Sequence, residues 1–318
     1  MQFIFTKIAP TISVNPSAGE IYLIPSVSNC MGRRDLSLYV LEQGVAGIMR
    51  GTGAPERFIL PAEPTFDDML AMTFVFYELQ NRALPSNAVA LARYAALIRE
   101  GLRPSTIPLE LSIEGIYLAI RNNAGEDLTD ENNAKKFIDD WFRMSDILMT
   151  ALESGKDPFE IPIFDKGHEF ARERAFLRED KNVYTKDVEK GEKWSVTLPG
   201  SSPNSSALIL NQPKSLLWKY WSRQDSSVPG GMYLFLGVTL KPFHWVFSTD
   251  PVQRISLQDL TNKLQKLELR KNPDKARERN NSCQVLRIPL QPYSHNPFEK
   301  RCGLLANKTV SNFVFGIL

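Results

Sequence analysis

Residues 157–193 read DPFEIPIFDKGHEFARERAFLREDKNVYTKDVEKGEK. This stretch separates two halves of the chain whose hydrophobic patterns differ. The stretch holds 18 charged residues among its 37, of which 8 are basic and 10 are acidic. Apolar side chains nevertheless recur through it at a spacing close to that of a helix, at Phe170, Phe176, Leu177, Tyr184 and Val188. The pattern predicts one long, mostly solvated connecting helix that packs along a single seam.

The residues before this stretch, 65–155, form a helix-rich block. Thr65 is a good N-cap, and Asp67 and Asp68 follow in the first turn, where carboxylates favour the helix dipole. Apolar residues at helical spacing predict helices over 65–82, 86–100, 112–122 and 131–154. Short apolar runs bounded by Pro, Ser and Gly indicate strands and loops before residue 60.

The residues after the charged stretch favour strands. Short apolar runs between turn residues predict strands near 194–198, 207–210, 232–239 and 244–248. The uncharged end, 310–318, is expected to be a buried strand or else the mark of a chain cut short. The sequence therefore predicts an α/β protein, a helix-rich block followed by a mixed-sheet α+β domain. The expected bounds are 1–156 for the first domain, 157–193 for the connecting helix and 194–318 for the second domain.

The composition argues against several classes of protein. A net charge of +2 does not fit a protein whose whole surface is a nucleic-acid or membrane footprint. The three histidines and three cysteines are isolated from one another, so structural zinc and thioredoxin-like centres are not expected. Few cysteines and the lack of a long apolar run predict a cytoplasmic protein with no membrane-spanning helix.

The charge is unevenly distributed along the chain. Residues 251–318 carry 12 basic and 5 acidic residues, a net charge of +7, so the preceding residues have a net charge of −5. The basic end predicts either contact with nucleic acid or another acidic partner, or an ordinary solvated surface.

The first candidate site is the predicted helix start at Asp67 and Asp68. Adjacent carboxylates there can hold a divalent cation such as Mg²⁺ or Mn²⁺, which prefers oxygen ligands. Ordinary complementarity to the helix dipole explains the same residues without a ligand. If the protein is an enzyme, Asp67, Asp68 and Asp250 are expected to lie within metal-bridging reach and to serve as metal ligands and catalytic residues.

The second candidate site is the segment 214–223, which is expected to bind a ligand through Lys214, Ser215, Lys219 and Arg223. If the segment is helical, Ser215, Lys219 and Arg223 recur every four residues and share one face. Two cations and a hydroxyl on one face could grip a phosphate group. The alternative is a solvated face on a packed helix.

The third candidate site follows the predicted strand 244–248. Ser248, Thr249 and Asp250 could bind a metal or a hydroxyl there, and Arg254 could bind a phosphate, because ligands in open α/β sheets favour the carboxyl ends of strands. The alternative is a turn whose short polar side chains satisfy their own backbone.

The fourth candidate is His168, which could act as a general base. Asp165 or Glu169 would orient its imidazole. The alternative is an exposed histidine at the start of a helix.

Two stretches resemble a known enzyme family. The segment PTFDDMLA, residues 64–71, is similar to the first aspartate motif of DHH-type phosphoesterases, in which an Asp-rich turn opens a helix. The order of predicted elements in 165–267 also looks like the accessory substrate-binding domain of that family. The resemblance implies a metal-dependent hydrolase of nucleotides or phosphodiesters. The chain has no Asp-His-His triplet, so the resemblance implies a degenerate metal site.

A second resemblance leads to a different function. Residues 170–177 and 246–257 resemble uncharacterised bacterial proteins of conflict (defence) gene clusters built around an FtsH-like ATPase. This resemblance implies a non-catalytic subunit or adaptor with protein partners in a bacterial cytosolic complex, and with a phosphorylated small molecule as an optional further ligand. An adaptor is expected to expose a large apolar patch. The phosphoesterase-like hydrolase remains the alternative.

Overall fold

The structure is a computed structural model whose chain divides into two compact units, Met1–Leu177 and Arg178–Leu318. The residues that it describes are 1–7, 16–24, 37–41, 44–85, 88, 91, 94–95, 107–157, 159–160, 162–164, 169–197, 205–241, 244–249, 257, 260, 262–263, 266 and 312–314.

The first unit contains a five-stranded mixed sheet with the strand order β1-β5-β2-β4-β3. Its strands are β1 Gln2–Thr6, β2 Glu20–Ile24, β3 Ser37–Leu41, β4 Gly44–Arg50 and β5 Arg57–Pro61. β5 runs parallel to both β1 and β2, whereas β4 runs antiparallel to β2 and β3. In the β2–β5 pair Glu20 lies opposite Arg57, with 3.2 Å between its carboxylate and the guanidinium.

The helices of the first unit follow this sheet. They are α1 Phe66–Leu79, α2 Ile113–Ala124 and α3 Glu131–Glu153, with a short 3-10 turn at Leu109–Leu111 before α2. Their starts are capped by Thr65, Ser112 and Asp130, whose side chains accept bonds from first-turn amides. The helices predicted over 65–82, 112–122 and 131–154 are thus confirmed. Most of the helix predicted over 86–100 lies outside the described residues, but positions 88, 91, 94 and 95 are helical.

Helix α4 spans Ala171–Lys190 and contains the division between the two units. It begins later than the sequence predicted, since the connecting helix was expected over 157–193. Its buried side chains are Glu173, Leu177, Asp180, Tyr184 and Val188. The predicted seam along one helix face is therefore present, but it includes two carboxylates as well as apolar residues.

The second unit contains another five-stranded mixed sheet, with the order β10-β9-β8-β7-β6. Its strands are β6 Glu192–Val196, β7 Ser205–Asn211, β8 Phe235–Lys241, β9 His244–Thr249 and β10 Asn312–Val314. β7 and β8 are parallel, as are β9 and β10, and the remaining pairs are antiparallel. The chain is an α/β protein in which a helix-rich region precedes this sheet, as the sequence predicted.

Candidate functional site

Asp68 belongs to the capping box at the start of α1, whose N-cap is Thr65. Its carboxylate oxygen Oδ2 accepts hydrogen bonds from the Thr65 amide at 2.7 Å and from the Thr65 hydroxyl at 2.9 Å. The Asp68 amide in turn donates to Thr65 Oγ1 at 3.2 Å, which completes a reciprocal capping box. The structure therefore supplies a structural role for Asp68, the role that the helix-dipole interpretation favoured.

The turn that carries Asp67 and Asp68 is embedded in the core, and each aspartate is only 1% exposed. The Tyr117 hydroxyl donates to the Pro64 carbonyl at 2.6 Å and so ties this turn to α2. Burial raises the pKa of Tyr117, and the charge of Asp68 raises it further. A neutral tyrosine hydroxyl thus holds the turn throughout the physiological pH range.

The predicted metal trio is not assembled from described residues. Asp250 lies outside them, so its position relative to Asp67 and Asp68 stays a prediction. Among the described residues, no group of three or more His, Cys, Asp and Glu side chains could hold a metal ion. His168 and Arg254 also lie outside the described part of the chain, and their predicted roles stay untested.

The second candidate segment is less helical than predicted. Helix α5 covers only Trp218–Ser222, so Ser215 precedes the helix and the expected common helical face of Ser215, Lys219 and Arg223 does not form. Ser215 is 2% exposed and Lys219 is 8% exposed, so the interpretation as a solvated face is also wrong for these two side chains. Lys214 alone among the four predicted ligand-binding residues is exposed.

Two carboxylates of α4 hold this segment in place. Asp180 accepts hydrogen bonds from the Ser215 hydroxyl at 2.8 Å, the Leu216 and Leu217 amides at 2.7 and 3.1 Å, and the Trp221 indole N–H at 2.8 Å. Asp187 lies two turns after Asp180 on α4. It accepts hydrogen bonds from the backbone amides of Lys214 at 2.8 Å and Ser215 at 2.9 Å. The Ser215 hydroxyl is therefore bonded to a carboxylate of the protein itself.

Asp180 is a key residue that the sequence reasoning missed. It lies three residues after Leu177 and four before Tyr184, so it falls on the apolar seam of a helix that is otherwise charged on its outer faces. A carboxylate at such a position must be bonded when it is buried. Its position on the seam was the available signal, but 18 charged residues in one stretch concealed it.

Arg223 links the second candidate site to the third. Its guanidinium donates one bond to the backbone carbonyl of Tyr233 and another, at 3.1 Å, to the Ser248 hydroxyl. Two residues that the sequence assigned to ligand binding, Arg223 and Ser248, therefore lie together. The contact joins α5 to β9 and gives both residues a structural role.

The location of Ser248 and Thr249 differs from the expectation based on strand ends. Both lie at the carboxyl end of β9, but β9 runs antiparallel to β8, so they stand opposite Leu236 and Phe235 near the amino end of β8. The rule that ligands bind at carboxyl ends holds where neighbouring strands run in parallel and all end at the same edge. On the side of β8 the edge therefore lacks the common carboxyl ends on which the prediction depended, whereas β10 on the other side runs parallel to β9.

A tyrosine pair lies close to Arg223. The Tyr184 hydroxyl donates to the Asp225 carboxylate at 3.0 Å. Burial raises the pKa of Tyr184, and the charge of Asp225 adds to that rise; the same two causes raise the pKa of Tyr233. The Tyr184–Asp225 contact connects α4 to the loop before β8, and the raised pKa values keep both tyrosine hydroxyls protonated at neutral pH.

The second sheet has one buried face and one partly exposed face. Residues in cross-strand register share a face, so the pairing separates the side chains of β7, β8 and β9 into two sets. The buried set consists of Leu208, Leu210, Leu236, Val238 and Val246, each at most 3% exposed. The other set, which the β6–β7 register extends to Trp194, includes the buried residues Ala207 and Thr239. Its five apolar residues that are not buried, which we name the open face, are Trp194, Ile209, Phe235, Trp245 and Phe247.

Aromatic rings on the open face stack along the sheet. The Phe247 ring lies 5.9 Å from that of Phe235 and 5.8 Å from that of Trp245, both in stacked orientations. Gly237 separates Ile209 from Phe247, and a Cβ atom at this glycine would lie 2.7 Å from the Ile209 side chain. The glycine therefore lets the neighbouring apolar side chains close over the backbone and form a continuous surface.

Strand β6 lies at one end of the strand order and carries the most exposed residue of the open face. Four of its five residues are exposed, and Trp194 is 59% exposed. The Trp194 indole N–H donates to the Glu192 carboxylate at 3.1 Å, which lays the ring along its own strand. The described residues of the second unit thus combine an aromatic sheet face with an exposed edge.

Comparison with known proteins adds no relative: no family model, curated protein or solved structure matches this chain. Within the described part of the chain, no helix is both long and apolar enough to cross a membrane.

Proposed function

We propose that this protein is a non-catalytic subunit that binds a partner protein through the open face of its second sheet. The observation that carries the proposal is the set of aromatic and apolar side chains, Trp194, Ile209, Phe235, Trp245 and Phe247, on the outward positions of four adjacent strands. A sheet with one solvated face normally alternates apolar inward and polar outward residues. Outward aromatic residues in a contiguous set are typical of protein interaction sites.

The contacts of the predicted catalytic and ligand-binding residues support the same proposal. Asp68 caps α1, Ser215 donates to Asp180, and Arg223 donates to Ser248. Each of these contacts stabilises the fold, so each side chain has a structural role that requires no substrate. The proposal places the protein in the bacterial cytoplasm, in line with its few cysteines, and leaves a phosphorylated ligand or nucleic acid as an additional partner of the basic C-terminal part.

Site-specific photo-crosslinking in the producing cells tests the proposal. A photoreactive amino acid at position 209 is expected to form an adduct with a second protein, because Ile209 lies at the centre of the open face. The matched control is position 84, since Leu84 is an apolar residue of the first unit that is 37% exposed. Equal adducts from both positions, or none from position 209, would contradict the proposal.

The phosphoesterase-like function stays a separate, untested prediction. It requires hydrolysis of nucleotides or phosphodiesters in the presence of Mg²⁺ or Mn²⁺, with loss of activity in Asp67→Ala and Asp250→Ala. Asp68→Ala is a less informative variant, because it removes a helix cap and therefore affects folding. If the protein hydrolyses these substrates and both aspartate variants lose the activity while remaining folded, the protein is an enzyme and the proposal of a non-catalytic subunit is wrong.

A further inference from the structure

We propose that the partner presents an arginine side chain to the open face, and that Trp194 and Glu192 together bind its guanidinium group. This inference rests on the proposed function, because it uses the same face of the second sheet and states the chemistry of the side chain that this face recognises. The two residues place an aromatic ring next to a carboxylate, and both kinds of group bind a guanidinium in proteins.

Glu192 lies beside Trp194 on the same side of the second sheet. Successive side chains of a strand point to opposite faces, so Glu192 and Trp194 share one face of β6 and Lys193 points to the other. The strand register agrees with this assignment, since Glu192 stands opposite Ile209, which belongs to the open face. Glu192 and Trp194 are both exposed, so both are accessible to a partner that binds the open face.

The Trp194 indole holds the Glu192 carboxylate at the edge of its ring. The indole N–H donates to Glu192 Oε2 at 3.1 Å, and Trp194 remains 59% exposed. A cation over the face of a tryptophan ring, within about 6 Å of its centroid, is attracted by the charge distribution of the ring. Because the carboxylate lies beside the ring, the same cation also meets a full negative charge, which favours a charge-assisted hydrogen bond.

The charge on this side of the sheet favours a cationic partner. Within residues 192–196, 205–211, 235–239 and 245–249, the positions in register with the open face carry a single charged side chain, that of Glu192. The positions besides the open face itself hold small or uncharged side chains, namely Val196, Ser205, Ala207, Asn211, Gly237, Thr239 and Thr249. Opposite charges across an interface steer association and fix its register, so a partner that brings one positive charge is complementary to this surface.

Arginine fits this pair of groups better than lysine does. Its planar guanidinium stacks on an aromatic ring while its N–H groups donate to a carboxylate, whereas the ammonium group of lysine is a compact and strongly hydrated charge. Ile209 stands directly opposite Glu192, so residues next to the bound arginine would contact the apolar part of the open face. The partner is therefore expected to present one arginine flanked by apolar residues.

Binding of a small arginine probe to the full chain tests this pair of residues directly. In NMR spectra the indole N–H resonance of Trp194, which Trp194→Phe identifies by its loss, is expected to shift when N-acetyl-arginine amide is added. We expect dissociation roughly in the millimolar range, because one cation–π contact and one charge-assisted hydrogen bond supply little binding energy. The neutral isostere N-acetyl-citrulline amide is expected to bind at least about tenfold more weakly, since it lacks the charge.

Glu192→Gln removes the charge and keeps an oxygen that accepts from the indole N–H. This variant is expected to weaken binding of the arginine probe at least about fivefold. Glu179→Gln is the matched control, because it makes the same change at an exposed glutamate of α4, and it is expected to leave the binding unchanged. The inference is overturned if the arginine probe causes no shift, if citrulline or lysine amide binds as tightly, or if Glu192→Gln has no effect.

The photo-crosslink from position 209 separates this inference from the proposed function. Glu192→Arg is expected to reduce that adduct at least about tenfold, because it places a like charge where the partner's arginine binds. Glu179→Arg, the control, is expected to leave the adduct intact. An adduct that Glu192→Arg does not reduce would overturn the inference and keep the proposed function. Absence of any adduct from position 209, together with normal binding of the arginine probe, would contradict the proposed function and support the arginine site.

Discussion

Removal of the Asp180 carboxylate should strongly destabilise the second unit. Asp180 is 5% exposed and accepts four hydrogen bonds from the segment that leads into α5. Asp180→Ala leaves these donors, three of which belong to buried residues, without their acceptor. Each buried donor that loses its partner costs about 1–3 kcal/mol, but such costs are not additive, so we expect a total of about 3–5 kcal/mol.

The isosteric change Asp180→Asn gives a sharper test of the same reasoning. Oδ2 accepts three of the four bonds and Oδ1 accepts the Leu216 amide. An asparagine that keeps its oxygen at the position of Oδ2 therefore loses one bond and places its NH₂ group against the Leu216 N–H. The expected cost is about 1–3 kcal/mol. Asp187→Ala is the control, since Asp187 accepts two bonds from the same segment at a more exposed position, and we expect a cost of about 1 kcal/mol.

Thermal unfolding and hydrogen exchange together measure these effects. The loss expected for Asp180→Ala corresponds to a decrease of roughly 10–20 °C in the midpoint of the transition that reports on the second unit. Exchange of the Leu216 and Leu217 amides should accelerate in Asp180→Ala, because both amides lose their acceptor, whereas in Asp180→Asn exchange should accelerate at Leu216 more than at Leu217, whose acceptor oxygen is kept. The reasoning is refuted if Asp180→Asn matches the wild type, or if Asp180→Ala costs no more than Asp187→Ala.

Three further changes test other contacts. Thr65→Ala removes the hydroxyl that bonds the Asp68 amide and carboxylate, and chemical denaturation should show a loss of about 1–2 kcal/mol. Glu20→Gln should remove a pH dependence of stability: the Ser17 amide and the neighbouring arginine hold the pKa of Glu20 below its ordinary 4.5, so this contribution is present above that pH and decreases as the pH falls below it. Denaturation curves of wild type and variant at several pH values should therefore converge in acid. Arg223→Lys should lower the melting temperature, because an ammonium group cannot reproduce the forked contact of the guanidinium with its carbonyl and hydroxyl acceptors.

Helix starts were the features that the sequence predicted best. Thr65, Ser112 and Glu131 mark the first residues of predicted helices, and each helix of the structure begins within one residue of these positions. Capping is a local interaction between a side chain and amides two or three residues away, so the sequence contains nearly all the information that it requires. The order of elements and the fold class follow from the same local signals.

The structural contacts of the predicted site residues did not follow from the sequence, because they depend on partners that are distant along the chain. Ser215 and Asp180 are 35 residues apart, and Arg223 and Ser248 are 25 residues apart. The sequence does not show whether a cationic or hydroxyl side chain will bind a ligand or a carboxylate of its own chain. The direction of β9 relative to β8 also decided where Ser248 would lie, and strand direction is a property of the tertiary fold.

The open face is a second feature that the sequence alone did not predict. In the strands FLGVTLK and HWVFST apolar residues do not alternate strictly with polar ones, since Phe235 precedes Leu236 and Trp245, Val246 and Phe247 are consecutive, so the spacing alone does not assign them to one face. The register instead places Leu236, Val238 and Val246 on the buried face and leaves Phe235, Trp245 and Phe247 partly exposed. A surface that had only to face water would favour polar residues at the second set of positions, because exposed aromatic surface promotes association. If the open face binds a partner as proposed, its aromatic residues would be buried in the complex, which gives a physical reason for their apolar character.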